Sequence, residues 1–567
     1  MAVVLLAVGG LAVILVARVV SFRTRLGAPL LLVLTGLAVS LAPIVPGIKL
    51  EPEWVLAGIL PPLLYASAMR LPLVDFRRDL PLIGGFSIVL VLVTAVLVGL
   101  VIHAVYPRLP FNLAIALGAV ISPTDAAATV IIRRAGAPAR VAGVLDGESL
   151  FNDATALVIL RTAIAGAASF WGVAWDFAWS AGVAVAVGGL SGWLALHLGA
   201  RLRDPVAYTL FSFLVPFVAY LPVEHLGASG LVAVVVAGLV AGQGGHQYIS
   251  ARNRLAGHAT WETVETLAEG AVFLAMGLQA FGLFEEFLAE HDNVAGALAT
   301  AGIALVVLLV VRGVFSTVAV ALPRLAGRPG GRTKPTTVPG RRKPPAAPSH
   351  DRADQAHQAD QTYQTGQAQR ADQADRLNWK DGAVLEWAGL RGVVTLAAAQ
   401  TLPLDAPERP AVVLIAFTVA TASLLIQGFS LPSLLRRLRL TTQDPAVLAR
   451  RRLELRQALA HTARDFLEQE GPNLRRPDGS TYERRSLGLA LSTAPWVTVP
   501  EIDQPVETTP QLVGTRRAEL RELRLLTVQA MRRALLVGQA TGPHFPSSVV
   551  EEAFNDLDQE EVGLDGS

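Results

Sequence analysis

The sequence predicts an all-α polytopic membrane protein of about thirteen transmembrane helices followed by a helical tail. Three observations predict it. Of the 567 residues, 52% are hydrophobic and only 17% charged, against about 25% charged in an ordinary soluble protein. The apolar residues fall in runs long enough to cross a bilayer, about 20 residues each, which makes lipid the first partner. The arginines between the runs gather in alternate loops. The net charge of +2 implies no nucleic-acid partner. With no cysteine in the chain, disulfides and thiolate metal sites are excluded.

In chain order, the candidate spans lie near 2–20, 27–46, 54–69, 81–106, 111–132, 141–168, 170–199, 206–222, 228–245, 261–282, 296–323, 382–403 and 410–433. The first starts Met-Ala-Val-Val-Leu-Leu with no basic stretch, so it reads as a span and not a cleaved signal. The third is short and carries Pro61 and Pro62. With the N-terminus outside, the first five inward loops hold Arg18, Arg23 and Arg25; Arg70, Arg77 and Arg78; Arg133, Arg134 and Arg140; Arg201 and Arg203; Arg252 and Arg254. The outward loops hold Lys49, Arg108 and Arg409, and one of them, Glu285 to Asp292, is acidic. Thirteen basic residues against three place the C-terminus in the cytoplasm of a cell-membrane protein by the positive-inside rule.

Two regions are not membrane. Within the transmembrane domain, 1–433, residues 324–380 start basic and proline-rich and then repeat Ala-Asp-Gln between Ala353 and Gln373. That composition buries no core and predicts a disordered cytoplasmic linker. Residues 434–567 predict a cytoplasmic helical tail. Asp444-Pro445 reads as an N-cap with proline at the first helical position. Leu448, Leu455, Leu459 and Phe466 then share a face, and a second charged helix is expected over Arg516 to Leu536. A stabilising or assembly role fits this tail better than ligand sensing.

The chemistry lies in acids placed inside apolar spans, where a charge costs at least about 2.5 kcal/mol. In Ser122-Pro123-Thr124-Asp125 the proline breaks a helix. Broken backbone at membrane depth lines a cavity or is buried in protein, so Asp125 and the Thr124 hydroxyl sit beside a candidate site; a simple kink with a capped aspartate is the alternative. In Gly147 to Leu157, Ser149 and Asp153 are four apart and share a helical face, whereas Glu148 points elsewhere. Asp153, Ser149 and Thr124 offer hard oxygen ligands suited to an alkali cation. A buried carboxylate is most easily accommodated when neutralised, so a proton and a cation compete for Asp153. Glu148 needs a partner, and Arg391, in Gly389-Leu390-Arg391-Gly392, is the candidate; snorkelling of Arg391 to the surface is the alternative.

These segments, with Leu60 to Leu64 (Leu-Pro-Pro-Leu-Leu) and Glu224 to Gly230, resemble the sodium/proton exchanger branch of the monovalent cation/proton antiporters over roughly residues 1–433. The resemblance implies inverted repeats with two crossed broken helices, a mobile core, a dimerisation domain and hence a homodimer, and alternating access. It also implies roles: Asp153 as the cation- and proton-binding aspartate, with Asn152 before it marking the electroneutral branch; Asp125 and Thr124 as the broken-helix pair; Ser149 as a ligand; Glu148 and Arg391 as a structural ion pair. Monovalent cations, Na+ foremost, and protons are then the substrates, and no cofactor is implied. The chain departs from the family pattern at Ala66, where a glutamate is common, followed by Ser67. Glu269 stands where an asparagine is common, and we expect it to supply acidity to the ion path; the alternative is that Glu262, Glu265 and Glu269 line a funnel or pair with arginines. Arg161 and Arg312 are expected to be structural partners or carbonyl donors, and His103 to be inert. K+/H+ exchange is the rival within transport. A cation channel or a membrane sensor is disfavoured, and no nucleophile–base set suggests an enzyme.

Overall fold

The structure is a computed structural model. It describes residues 2–24, 26–41, 51–125, 127–134, 137–165, 170–291, 293–325, 377–440, 445–476, 480–482, 510–541 and 545–566. The linker expected at 324–380 lies outside these residues except at its two ends, as do Asp444 and part of the tail.

The described chain is helical. Its helices are α1 (Ala2–Thr24), α2 (Ala28–Ser40), α3 (Trp54–Ile59 continued by Leu60–Met69), α4 (Leu73–Gly84, Gly85–Leu90 and Val91–Val105 in one rod), α5 (Phe111–Ile121), α6 (Ala127–Arg134), α7 (Ala139–Ile164), α8 (Phe170–Gly199), α9 (Pro205–His225) and α10 (Gly230–Tyr248). They are followed by α11 (Ala251–Leu278), α12 (Ala280–Glu290), α13 (Val294–Leu325), α14 (Trp379–Trp387), α15 (Val393–Gln400), α16 (Arg409–Leu438), α17 (Pro445–Gln469), α18 (Pro510–Thr541) and α19 (Ser547–Gly566). Among the described residues, eight helical stretches are long and apolar enough to cross a membrane. The acid-bearing α7 and the interrupted α5–α6 and α14–α15 are not among them, because charge and breaks lower exactly the signal that marks a span.

The helices form two packed groups. One, the frame, joins α1, α2, α3, α8, α9, α10 and α11. The other, the transport bundle, joins α4, α5, α6, α7, α13, α14, α15 and α16. Between helices in lipid there is no hydrophobic drive, so close packing carries the association and small residues let backbones approach. Gly36 and Gly277 show this: a Cβ on Gly277 would lie 2.5 Å from the Val33 carbonyl oxygen, and one on Gly36 2.5 Å from that of Leu274. The two groups meet where α7 touches α3 and α10, where α15 touches α3 and α11, and where α16 touches α2, while α12 bridges them, touching α2 and α11 on one side and α16 on the other.

The tail packs around its own small core, with Leu455 and Leu459 of α17, Val528 and Met531 of α18, and Phe554 and Leu557 of α19 buried together. Leu448 joins this core as the helical spacing predicts, while Phe466 packs on a second cluster with Leu467, Leu523 and Tyr482. The second tail helix, Pro510–Thr541, is longer than the expected Arg516 to Leu536, and α19 was not expected.

Candidate functional site

Two helices of the transport bundle are interrupted at mid-depth, and the interruptions meet. The α5–α6 break carries Asp125 and the α14–α15 break carries Leu390, and the Asp125 N–H donates to the Leu390 carbonyl at 2.7 Å. Each break exposes two half-helix ends, with free N–H groups at one and free carbonyls at the other. The Asp125 carboxylate takes the first kind. Its Oδ1 accepts from the Ala127 N–H at 2.8 Å, at the start of α6, and the side chain also accepts from Val393, the first residue of α15. Arg391 takes the second kind. Its Nε donates to the Ile121 carbonyl at 3.2 Å and Nη2 to that of Ser122 at 3.5 Å, at the end of α5, while Nη1 donates to Gly389 after α14. One anion and one cation thereby satisfy the crossing, each at the pole of the helix dipole that suits its sign.

This placement corrects the expected Glu148–Arg391 pair. Glu148 is bound by Arg312 of α13, which donates to both carboxylate oxygens and, through Nε, to the Leu385 carbonyl at 2.9 Å. Both side chains are buried, and the guanidinium lies over the Phe86 ring, 5.4 Å from its centroid. Physically, Arg391 is consumed by the carbonyls of the crossing, whereas Arg312 reaches Glu148 in the planar fork geometry that a carboxylate prefers. The signal was present: Arg312 is a lone arginine in the middle of a long apolar helix. Its spacing names no partner.

The Glu148 anchor continues toward the site. The Thr124 hydroxyl donates to Glu148 Oε1 at 2.9 Å and accepts from Asn152 Nδ2 at 2.9 Å, and the same Nδ2 donates to the Thr124 carbonyl at 3.0 Å. Thr124 is thus a link between α7 and the break. Asn152 is fully buried, and its Oδ1 has no partner among the described residues. Ser149 Oγ donates to the Leu145 carbonyl at 2.9 Å, which leaves its lone pairs open.

Asp153 is 7% exposed and has no hydrogen bond or ion pair to a described residue. It faces a cleft with Val120, Pro123, Ala156, Leu157, Val394 and Ala398, and Asp125 lies within electrostatic reach. A carboxylate in apolar surroundings with no protein cation is the arrangement expected to be avoided, so this carboxyl is favoured when a proton or a cation neutralises it.

Two glycines make room for this machinery. A Cβ on Gly392 would overlap the Asp125 carboxylate, and one on Gly389 would strike the Arg312 guanidinium.

Of the accessory acids on α11, Glu262 pairs with Arg18 at 3.1 Å and Glu265 with Arg70, and Ser67 Oγ donates to Glu265 Oε1 at 3.2 Å. Glu269, one turn deeper, has no hydrogen bond or ion pair among the described residues and lies within electrostatic reach of Asp125 and Glu265. The Glu224–Gly230 segment closes a helix junction: Glu224 accepts from Arg161 at 2.7 Å and from the Gly230 N–H at 3.0 Å. His103 Nδ1 meets the Leu109 carbonyl at 2.9 Å.

Comparison with known proteins bears on this geometry. A family profile described as "Sodium/hydrogen exchanger, transmembrane" matches residues 10–437. The chain is 32% identical over 436 residues to an uncharacterized Na(+)/H(+) exchanger of Mycobacterium tuberculosis, covering 75% of this chain and 72% of that protein. It is 24% identical over 529 residues to the Na(+)/H(+) antiporter ApNhaP of Aphanothece halophytica, covering 90% and 88%. Among solved structures it is similar to the sodium proton antiporter MjNhaP1 of Methanocaldococcus jannaschii, with a TM-score of 0.54 at 17% identity, over 77% of this chain and 99% of that one. That likeness concerns the fold.

Proposed function

Because this chain belongs to the sodium/hydrogen exchanger family of transmembrane proteins, we infer that it is a secondary antiporter exchanging Na+ for H+, with Asp153 holding either ion in turn. The observation that carries the assignment of Asp153 is its burial in an apolar cleft without a protein counter-charge. The buried site accommodates one neutralising ion at a time, so binding of Na+ requires loss of the proton and the reverse. Asp125, held by two half-helix N-termini, keeps the crossing in shape and adds negative potential at the site. Thr124, Glu148, Arg312 and Arg391 fix the geometry. Alternating access follows from rigid-body movement of the transport bundle against the frame.

We further propose the sidedness, stoichiometry, assembly and ion route of the exchanger. The arginine-rich face is cytoplasmic, on the positive-inside bias. Exchange is electroneutral, because the position before Asp153 is Asn152 and not a second acid. Two copies assemble as a homodimer in the membrane. Glu269 feeds cations to the site in place of the acid missing at Ala66, with Ser67 and Glu265 beside the route. The family is one of transporters, not an enzyme class.

Dissipation of a pH gradient by the purified protein in liposomes tests the central assignment. Na+ is expected to dissipate the gradient in wild type, and Asp153→Asn to abolish this while melting like wild type. A mutant as active as wild type overturns the role of Asp153, and a response to K+ that exceeds those to Na+ and Li+ makes the protein a K+/H+ antiporter.

A further inference from the structure

The largely apolar α16 carries a polar stripe toward one neighbour. Ser423, Gln427 and Ser430 are spaced four and three apart and so share a helical face, and that face receives the α14–α15 break. The Arg391 N–H, which lies in the break, donates to Ser423 Oγ at 3.1 Å. The Ser423 hydroxyl in turn donates to Gln427 Oε1. On the other side of the break, Trp387, the last residue of α14, donates its indole N–H to Ser430 Oγ at 2.8 Å. Ser423 and Gln427 are fully buried. Gln427 Nε2 has no partner among the described residues, so the hydroxyl of Ser423 is what this amide holds there.

At membrane depth a backbone N–H freed by a broken helix must find its acceptor in protein. A serine hydroxyl donates or accepts as it rotates. With its hydrogen committed to Gln427 Oε1, the lone pairs of Ser423 are turned to Arg391. The backbone held in this way is the centre of the crossing. The preceding carbonyl, that of Leu390, accepts from the Asp125 N–H at 2.7 Å. The Arg391 side chain holds the carbonyls at the end of α5. Two residues on, Val393 donates to the Asp125 carboxylate. A displacement of the Arg391 backbone is therefore passed to Asp125 from both sides.

We propose that Ser423, aimed by Gln427, is a positioning residue for exchange: by fixing the Arg391 backbone it keeps the crossing in the form that presents Asp125 to a cation at Asp153. The proposal rests on the antiporter reading above and adds to it the residues of α16 that prearrange the site. Without the Ser423 acceptor, the break relaxes toward another partner for the Arg391 N–H. The binding-ready form then becomes a fraction of the ion-free population, and apparent affinity falls by that fraction. A bound ion restores the form, so the loss is read in half-saturating Na+ and not in the maximal rate.

The test is pH-gradient dissipation by the full-length protein in liposomes, titrated with Na+ at one fixed pH. Ser423→Ala is expected to raise half-saturating Na+ about tenfold, with a maximal rate within about twofold of wild type, a shift in the range set by leaving a buried N–H unpaired. Gln427→Met keeps the length of the side chain and removes the acceptor. It is expected to raise half-saturating Na+ about threefold, and to add nothing in the Ser423→Ala background, because its effect passes through the hydroxyl. A lowered maximal rate at wild-type half-saturating Na+ in Ser423→Ala would make Ser423 a support with no bearing on the site and overturns the proposal. A Gln427→Met shift that adds in full to that of Ser423→Ala does the same. If thermal melting shows Ser423→Ala to be unfolded, Gln427→Met alone decides, by a raised or an unmoved half-saturating Na+. Wild type is titrated in the same vesicles: no response to Na+ there defeats the antiporter reading, whereas a normal response with both variants unmoved defeats the positioning role alone.

Discussion

Glu148 and Asp153 lie five residues apart on one helix and have opposite surroundings. Glu148 is enclosed by Arg312 and Thr124, a structural position. Asp153 has no hydrogen bond or ion pair to a described residue, and in the antiporter reading its carboxyl takes a proton or a cation in turn. The contrast predicts different failures. Arg312→Met leaves Glu148 buried and unpaired and is expected to cost about 3–5 kcal/mol of stability, much of it recovered in Glu148→Leu/Arg312→Met, because removing a buried pair whole is far milder than breaking it; thermal melting in detergent measures both. At Asp153, competition between one proton and one cation predicts that half-saturating Na+ rises about tenfold per pH unit on the acid side. Glu269→Gln is expected to raise it further, and unchanged Na+ dependence of flux would remove Glu269 from the ion path. The individual acids were legible in the sequence because charge in an apolar run is conspicuous. Their partners were not: Glu148 and Arg312 are 164 residues apart, and nothing in the spacing separates Arg312 from Arg391.

At the scale of elements, the two broken helices depend on each other. Pro123 and the glycines at 389 and 392 mark the breaks in the sequence through their poor fit to a helix. What the breaks do is set by their meeting: two sets of free N–H groups around Asp125 and two sets of free carbonyls around Arg391. Gly392→Ala therefore tests the crossing itself. Its methyl group would overlap the Asp125 carboxylate, so exchange is expected to fall at least tenfold, with Asp125 displaced from its N–H donors; near-normal flux would show that the crossing tolerates a side chain there. The helix that was not anticipated, α19, carries Val549, Val550, Ala553, Phe554 and Leu557 at helical spacing among many acids, and these are the residues it buries.

For the whole molecule, the arrangement is a frame and a transport bundle, with the tail helix α19 touching both. If one Na+ replaces one proton at Asp153, no net charge crosses the membrane in a cycle, and liposomes holding active protein are expected to show no current that scales with flux; such a current would require a second titrating group in each cycle. By itself the sequence determined the membrane class, most of the helices and the presence of acids within apolar runs. All of these rest on local composition: a run either can or cannot sit in hydrocarbon, and a charge within it must have a reason. Only the tertiary structure decided that Arg312 and not Arg391 holds Glu148, that Thr124 is a link held at both its donor and its acceptor side, that Asp153 alone among the central acids lacks a partner among the described residues, and that the tail lies across both bundles. Those are pairings between distant segments, and a buried polar group takes whichever partner the packing brings within hydrogen-bond reach.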